Sequence, residues 1–206
     1  MRKRAIILDL DNTIYPVRSI ADEFFPPLFE LIHKDGTHED QFDQIKKEIM
    51  RRPFQLVAKE FAFSNELIEQ AMNFFKGATY LGKIKTFDDY VEVKKLNIDK
   101  FLVTTGFVQL QQSKITGMKI QNDFKEIHIV DPTQSIQTKK DVFADIMRRH
   151  HYDKSEVLVV GDDPKSEIKA AQDLGIDVVL YDKEGLYKNL NGIKRINDYK
   201  DLALEI

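Results

Sequence analysis

The chain has 206 residues, of which 42% are hydrophobic and 32% charged, and its net charge at pH 7 is −3. This length predicts one domain with at most a small appendage, and this charge gives no electrostatic basis for binding a nucleic-acid polymer. No apolar run approaches the length that a membrane-spanning helix needs, and the lack of cysteine excludes disulfides and thiolate chemistry. The simplest expectation is a cytoplasmic protein, a monomer or small homo-oligomer, without a membrane partner.

The first strong pattern is an apolar run near the start of the chain that two acids follow. Residues 5–8 are all apolar, which predicts a short strand buried on both faces. Asp9 and Asp11 leave that strand two residues apart, so their side chains point the same way, and Thr13 adds a hydroxyl. Two like charges this close repel and raise each other's pKa. Stability does not explain the pair, so we favour a chemical role over a merely acidic turn.

The next part of the chain changes to helical patterns. Residues 17–79 place apolar side chains at helical spacing over successive segments and show no strand pattern. Ser64 is predicted to cap the last of these helices, and Gly77 to end it. We therefore predict a helical cap subdomain over residues 17–79, inserted into a core domain made of residues 1–16 and 80–206.

Strand patterns then return and alternate with helices. The runs that predict strands cover residues 100–106, 126–131, 156–163 and 177–181, with a weaker one near 193–196. An amphipathic helix is expected over residues 139–149, and another is expected to begin with Asp163 as its N-cap and to end at Gly175. This alternation predicts an α/β fold, a doubly wound parallel sheet with helices on both faces.

In such a sheet, functional groups gather beyond the carboxyl ends of the strands. Asp9, Asp11, Thr104 and Asp162 all lie at the ends of predicted strands, so we expect them to meet at one edge of the sheet.

Four motifs, each after a suitable element, resemble the haloacid dehalogenase-like (HAD) hydrolase superfamily over essentially the whole chain. They are Asp9-Leu10-Asp11-Asn12-Thr13, Val103-Thr104-Thr105-Gly106, Lys139 and Val159-Val160-Gly161-Asp162-Asp163. The resemblance implies a Rossmann-like core, and it implies that the insert over residues 17–79 is the family's C1-type cap, which covers the site.

The resemblance also implies a phosphatase mechanism centred on the first motif. Asp9 would attack phosphorus to form an aspartyl-phosphate, while Asp11 would protonate the leaving oxygen and then deprotonate the attacking water. A phosphate monoester is a dianion that bare carboxylates would repel, so the acids imply a divalent cation, and an all-oxygen ligand set favours Mg²⁺. The family pattern assigns the cation to the side chains of Asp9 and Asp162 and the backbone carbonyl of Asp11.

The remaining implied roles concern the phosphoryl group and the substrate. Thr104 would donate a hydrogen bond to a phosphoryl oxygen, and Lys139 would neutralise developing charge and restrain Asp9. The predicted substrate-binding residues are Thr13, Tyr15, Thr105 and Gly106.

One departure from the family pattern, and two acids at and after the fourth motif, leave roles open. Lys140 stands where proline is common, so either Lys139 or Lys140 is the lysine of the third motif; we favour Lys139 because the apolar residues that should pack on the sheet then follow one turn on. Asp163 is either an N-cap or a residue near the metal. Glu167 either binds water close to the metal or is a first-turn acid that the helix dipole favours.

Residues 11–16, with the sequence Asp-Asn-Thr-Ile-Tyr-Pro, resemble the pyrimidine 5′-nucleotidase-like branch of the family. We therefore predict a Mg²⁺-dependent phosphatase of a small phosphorylated metabolite, with a nucleotide as one candidate. Phe24, Phe25 and Phe54 would stack a base or, as is commoner for aromatic residues at helical spacing, belong to the core. The alternatives are a sugar phosphomutase, which shares the motifs, and a phosphoacceptor signalling domain without turnover.

Overall fold

The computed structural model describes residues 2–204 of the chain, and in this part the backbone forms a single parallel sheet. Its strands are β1 (Ala5–Leu8), β2 (Asp99–Thr105), β3 (Glu126–Val130), β4 (Val157–Gly161), β5 (Asp177–Tyr181) and β6 (Lys194–Ile196). They are ordered β3-β2-β1-β4-β5-β6, and every adjacent pair is parallel. The predicted doubly wound α/β fold is confirmed.

The central position of β1 follows from its apolar sequence. All four of its side chains are at most 1% exposed, so the strand is buried on both faces, as parallel strands are when helices cover the sheet. Ile6 and Leu8 join one hydrophobic cluster, whereas Ala5 and Ile7 join a second cluster on the other face. Because β1 is central, the residues that follow it emerge at the middle of the sheet edge.

The insert between β1 and β2 is helical. Residues 17–79, which the structure describes in full, contain helices, turns and loops but no strand. The helices are α1 (Arg18–Phe24), α2 (Pro26–Asp35), α3 (Phe42–Ile49), α4 (Phe54–Glu60) and α5 (Asn65–Lys76). The hydroxyl of Ser64 accepts a hydrogen bond from the backbone N–H of Leu67 at 3.1 Å, so the predicted N-cap of the last helix is present.

The insert packs directly on the core. One hydrophobic cluster contains side chains of both parts, and the rings of Phe75 in α5 and Phe107 after β2 stack with centroids 5.1 Å apart. Asn12, at a backbone φ of 55°, joins the two parts again. Its amide donates to the carbonyl of Met50 at 3.1 Å, and its side-chain oxygen accepts the N–H of Val17 at 3.0 Å. The insert therefore sits on the sheet edge where β1 ends.

Four further helices complete the layers. They are α6 (Tyr90–Lys95), α7 (Val108–Met118), α8 (Lys139–His150) and α9 (Glu167–Gln172). The sequence predicted α8 closely but gave no prediction for α7. None of the helices in residues 2–204 is long and apolar enough to cross a membrane.

The start of α9 differs from the prediction. Asp163 was expected to cap this helix, but residues 164–166 form a turn and the helix begins at Glu167. The reason is local: Asp163 Oδ1 accepts the N–H of Lys165 at 2.8 Å, which closes a tight turn, and Glu167 reaches back to the N–H of Asp163 at 2.8 Å. The chain therefore enters the helix three residues later than its Asp-Pro pair suggests.

The start of α8 is fixed by a capping box, in which residues at the helix entrance bond each other's backbone. The hydroxyl of Thr138 accepts the N–H of Asp141 at 3.4 Å, and Asp141 Oδ2 accepts the N–H of Thr138 at 2.8 Å. Lys139 is consequently the first residue of the helix, at the carboxyl edge of the sheet.

We expect Thr138→Ala to lower the free energy of unfolding by about 1 kcal/mol, because the helix loses its side-chain cap. This corresponds to a decrease of roughly 2–4 °C in the Tm of a chain of this length, measured by thermal denaturation. Thr138→Ser keeps the hydroxyl and serves as the matched control. An equal loss in both variants would show that the methyl group, rather than the cap, is responsible.

Candidate active site

The carboxyl ends of β1, β2 and β4 and the start of α8 border one cavity of about 120 Å³. Its wall contains all of the residues predicted as catalytic or metal-binding, namely Asp9, Asp11, Thr104, Lys139 and Asp162. The insert supplies another part of the wall, including Arg51, Arg52 and Phe54. The cavity therefore lies between the core and the insert.

Lys139 makes the main contact of the site. Its Nζ lies 2.6 Å from Asp9 Oδ1 and 2.7 Å from Glu167 Oε2, and all three side chains are buried. Lys140, the next residue, is exposed. The structure therefore places Lys139, and not Lys140, beside the acids.

The electrostatics of this contact are set by burial. Burial raises the pKa of Asp9; the ammonium of Lys139 opposes this, whereas Glu167 and Asp11 add to it, and the net shift is upward. Burial alone would lower the pKa of Lys139, but the charges of Asp9 and Glu167 outweigh it and hold that pKa above its usual range. Lys139 is therefore an ammonium ion. Its single positive charge is smaller than the summed negative charge of Asp9 and Glu167 when both are ionised.

The acids form a cluster that suits a metal ion. Asp9, Asp162 and Glu167 each offer a carboxylate oxygen, and these oxygens lie within 4.8 Å of one another. Burial and the charges of Glu167 and Asp9 raise the pKa of Asp162 well above its ordinary value. Three carboxylates beside one ammonium leave an excess of negative charge, and their oxygen atoms are the donors that hard divalent cations prefer. The residues present therefore fit such a cation.

Glu167 is a member of this cluster that the sequence left undecided. It is the first residue of α9, so it is a first-turn acid, and it also lies against the other two carboxylates. Gly161 at the end of β4 makes this possible. A Cβ there would lie 2.2 Å from Glu167 Oε1, so only glycine leaves room for the carboxylate.

Asp11 is held by three donors. Its Oδ1 accepts the hydroxyl of Tyr15 at 2.5 Å and the ammonium of Lys114 at 2.9 Å, while its Oδ2 accepts the amide of Gln111 at 2.9 Å. Burial raises the pKa of Asp11, but Lys114 and the three hydrogen bonds outweigh it, and the net shift is downward. The carboxyl of Asp11 is therefore ionised in this arrangement.

Gln111 and Lys114 are site residues that the sequence analysis missed. Both lie on α7, both are buried, and Gln111 also donates to Thr104 Oγ1 at 2.7 Å. Their signal was present: two polar residues three positions apart share one helix face with the apolar Leu110 and Ile115. Since a buried polar group needs a partner, that pattern indicates a polar site beneath the helix.

The predicted substrate contacts divide into two groups. Thr105 and Gly106 line the cavity. Thr13 and Tyr15 are 0% exposed, which differs from the prediction that they touch substrate. The ring of Tyr15 packs in the hydrophobic cluster so that its hydroxyl reaches Asp11, and the hydroxyl of Thr13 lies 3.5 Å from Asp162 Oδ1. Tyr15 therefore contacts Asp11, and Thr13 contacts Asp162, from positions that are closed to solvent.

The aromatic residues considered for base stacking are core residues with an edge on the cavity. Phe24, Phe25 and Phe54 are 5–7% exposed and belong to the hydrophobic cluster, and all three also line the cavity. Phe24 packs on Phe25 with ring centroids 5.0 Å apart. They give the insert side of the cavity an apolar wall.

Similarity to known proteins agrees with this geometry. The family model of the haloacid dehalogenase-like hydrolases matches residues 6–181. The glyceraldehyde 3-phosphate phosphatase of Methanopyrus kandleri is 21% identical over 208 residues, which cover 91% of this chain and 87% of that protein.

Solved structures share the fold. The HAD-hydrolase YfnB of Bacillus subtilis, crystallised with magnesium, superposes with a TM-score of 0.66 at 17% identity, covering 99% of this chain and 98% of that one. A HAD phosphatase of Thermococcus onnurineus has a TM-score of 0.66 at 18% identity, with coverages of 99% and 97%. At these identities the likeness establishes the fold.

The acid cluster predicts a pH-dependent stability. Because burial raises the pKa of Asp9 and Asp162 in the folded state, the folded chain keeps protons that the unfolded chain has released, and stability falls as the pH rises above about 4. Asp162→Asn removes one acid, so in EDTA we expect its Tm to exceed that of the parent by roughly 2–4 °C, about 1 kcal/mol, near pH 7.5. Near pH 5 the difference should shrink.

Thermal unfolding at both pH values in EDTA measures this effect. Asp22→Asn, at an exposed position of α1, is the matched control and should leave the Tm unchanged at both. A lower Tm of Asp162→Asn near pH 7.5 would contradict a repulsive cluster.

Proposed function

The chain belongs to the haloacid dehalogenase-like hydrolases, and within that enzyme family we propose that it is a Mg²⁺-dependent phosphatase acting through an aspartyl-phosphate on Asp9. The observation that carries this proposal is the buried contact of Lys139 with Asp9 inside the cluster of three carboxylates. A carboxylate kept beside an ammonium, at the carboxyl edge of a parallel sheet, is suited to act as a nucleophile.

The donor set identifies where the cation would be held. Asp9 and Asp162 would bind it by their side chains and Asp11 by its backbone carbonyl, while Glu167 lies close enough to join them. When bound, the cation offsets the charge of the acids and of the phosphate dianion, so that the two can approach each other.

The chain's own residues then account for the two chemical steps. An oxygen of Asp9 bonds to phosphorus as the ester P–O bond breaks, and the departing oxygen takes a proton from Asp11. Water next attacks the phosphorus and gives a proton to Asp11, while the bond between phosphorus and the Asp9 oxygen breaks. This releases phosphate, leaves Asp9 as a carboxylate and returns Asp11 to its protonated form. Lys139 holds Asp9 in place throughout, by its 2.6 Å contact.

Asp11 needs a proton before it can act as an acid. In the structure without substrate, Lys114, Gln111 and Tyr15 favour its ionised form. A phosphate dianion that enters the same cavity adds negative charge nearby, and this raises the pKa of a buried carboxyl. Binding of the substrate therefore prepares Asp11 for protonation, while the three donors fix its position.

Thr104 is placed to bind the phosphoryl group. Its oxygen accepts a hydrogen bond from Gln111 at 2.7 Å, so its hydroxyl hydrogen points elsewhere, and the residue lines the cavity. Donation of that hydrogen to a phosphoryl oxygen would stabilise the charge that develops there.

The proposed substrate is a small phosphate monoester. The relative from Methanopyrus kandleri is named for glyceraldehyde 3-phosphate, which makes short sugar phosphates the first class to assay. A nucleotide, suggested by the motif at residues 11–16, stays a prediction to be tested in the same screen.

Asp9→Asn tests the nucleophile. We expect it to lower the hydrolysis of p-nitrophenyl phosphate in Mg²⁺ by at least about 10³-fold, because an amide cannot attack phosphorus. Circular dichroism and the Tm should show that the variant is folded. EDTA should abolish the activity of the parent, and added Mg²⁺ should restore it; a variant that keeps its turnover would refute the assignment of Asp9.

Lys139→Ala and Lys140→Ala form a matched pair of neighbours with opposite burial. We expect kcat to fall at least about 100-fold for Lys139→Ala, because Asp9 loses its ammonium partner, and to stay within about twofold for Lys140→Ala, whose side chain is exposed. Steady-state rates with p-nitrophenyl phosphate measure both. Similar losses in the two variants would show that the buried contact is not what matters.

A further inference from the structure

Two adjacent arginines of the insert, Arg51 and Arg52, line the same cavity as Asp9 and Lys139. They follow α3 and precede α4, so the insert brings them to the cavity on a short connection. The mechanism above uses neither of them.

These arginines carry buried donors without acceptors. Among the side chains described in residues 2–202, the buried nitrogen and oxygen atoms that lack a hydrogen bond are Arg51 Nε, Arg52 Nε and Arg52 Nη2. Arg52 Nε does lie 2.6 Å from Glu48 Oε2 as an ion pair, and Arg52 Nη1 lies 2.7 Å from Glu60 Oε2, so Arg52 Nη2 and Arg51 Nε are the two donors without a partner. A buried donor without an acceptor is unfavourable, and native proteins rarely keep one without a reason.

The other cations of the cavity are already committed to its acids. Lys139 contacts Asp9 and Glu167, and Lys114 contacts Asp11. By contrast, the partners of the two arginines are Glu48 and Glu60 of the insert and Tyr187 of the core, none of which belongs to the acid cluster. The insert therefore brings guanidinium donors to the cavity that the acid cluster does not use.

The two arginines differ in freedom. Arg51 is fixed to the core, because its Nη2 donates to the hydroxyl of Tyr187 at 2.7 Å and its guanidinium lies 5.6 Å from the centre of that ring. Arg52 is paired with Glu48 and Glu60, whose side chains are 22% and 52% exposed. The pair with Glu60 is the more exposed and therefore the weaker of the two, so a ligand in the cavity can compete with Glu60 for Arg52.

The chemistry of the guanidinium identifies the ligand. Its planar set of N–H donors matches a carboxylate or a phosphate and binds either through two parallel hydrogen bonds. Resting on the phosphatase function proposed above, we propose that the substrate is a phosphate monoester with a second anionic group, and that Arg52, with Arg51 beside it, binds that group. The phosphoryl end would lie at Asp9, and the second anion would lie at the insert wall.

Two pairs of substrates separate the sources of the second anion. The carboxylate arm compares 3-phosphoglycerate with glycerol 3-phosphate, which has a hydroxymethyl group in place of the carboxylate. The phosphate arm compares fructose 1,6-bisphosphate with fructose 6-phosphate. For the full chain in Mg²⁺, we expect kcat/KM of the anionic member to be at least about tenfold higher in one arm, equivalent to about 1.4 kcal/mol.

Arg52→Gln should remove most of that preference. We expect the ratio of kcat/KM within the preferred pair to fall about tenfold, mainly through a higher KM of the anionic member, because the amide keeps hydrogen bonding without charge. Arg52→Lys should give an intermediate ratio, since it keeps the charge but loses the planar donors. Lys47→Gln, at an exposed position of α3, is the matched control and should leave the ratio unchanged.

Glu60→Gln gives an independent arm that does not depend on folding of an Arg52 variant. It removes the exposed competitor of Arg52, so the preference for the anionic member should rise. Equal kcat/KM values within both pairs, in a parent that hydrolyses p-nitrophenyl phosphate, would overturn the inference and leave the phosphatase intact. If the parent hydrolyses neither p-nitrophenyl phosphate nor any of the four paired substrates in Mg²⁺, the proposed function itself is overturned.

Discussion

The rest of the site depends on the contact that the ammonium of Lys139 makes with Asp9 and Glu167. The ammonium lies within 2.7 Å of both Asp9 and Glu167 in a buried position, and removing one partner of such a buried pair is costly because a charge is left without compensation. The contact joins three elements: the end of β1, the start of α8 and the start of α9. The same atom therefore contacts a residue that follows the central strand and a residue of each of the two helices.

Around that contact the polar groups are arranged in two sets. On one side, Asp9, Asp162 and Glu167 place carboxylate oxygens within 4.8 Å of one another. On the other side, Asp11 is surrounded by donors from α7 and from the loop after β1. Two carboxyl groups two residues apart in the sequence thus have pKa values shifted in opposite directions, upward for Asp9 and downward for Asp11.

The sequence predicted the parts of the fold whose signals are local. The apolar run of β1, the acids after strands and the amphipathic α8 depend on neighbours in the chain, so pattern alone located the sheet, whereas the choice between Lys139 and Lys140 stayed open until the structure showed which side chain is buried. The donors on α7 were missed because Gln111 and Lys114 contact Asp11 across 100 and 103 positions. The turn at Asp163 was mispredicted because a side-chain contact from Glu167 competes with the usual helix cap. The unpaired Nη2 of Arg52 could not be predicted, because its burial and its lack of an acceptor depend on the folded cavity.

The missing side chain at Gly161 links two positions that the sequence separates by six residues. The volume that a Cβ of residue 161 would fill is taken by the carboxylate of Glu167, whose Oε1 would lie only 2.2 Å from that Cβ. A larger residue at position 161 therefore requires a smaller or displaced side chain at position 167. Such a change would also alter the contact that Glu167 makes with Lys139. Among related chains, the pair 161 and 167 should vary together, and a sequence that keeps glycine at the first while losing the acid at the second would mark a site with a different set of acids.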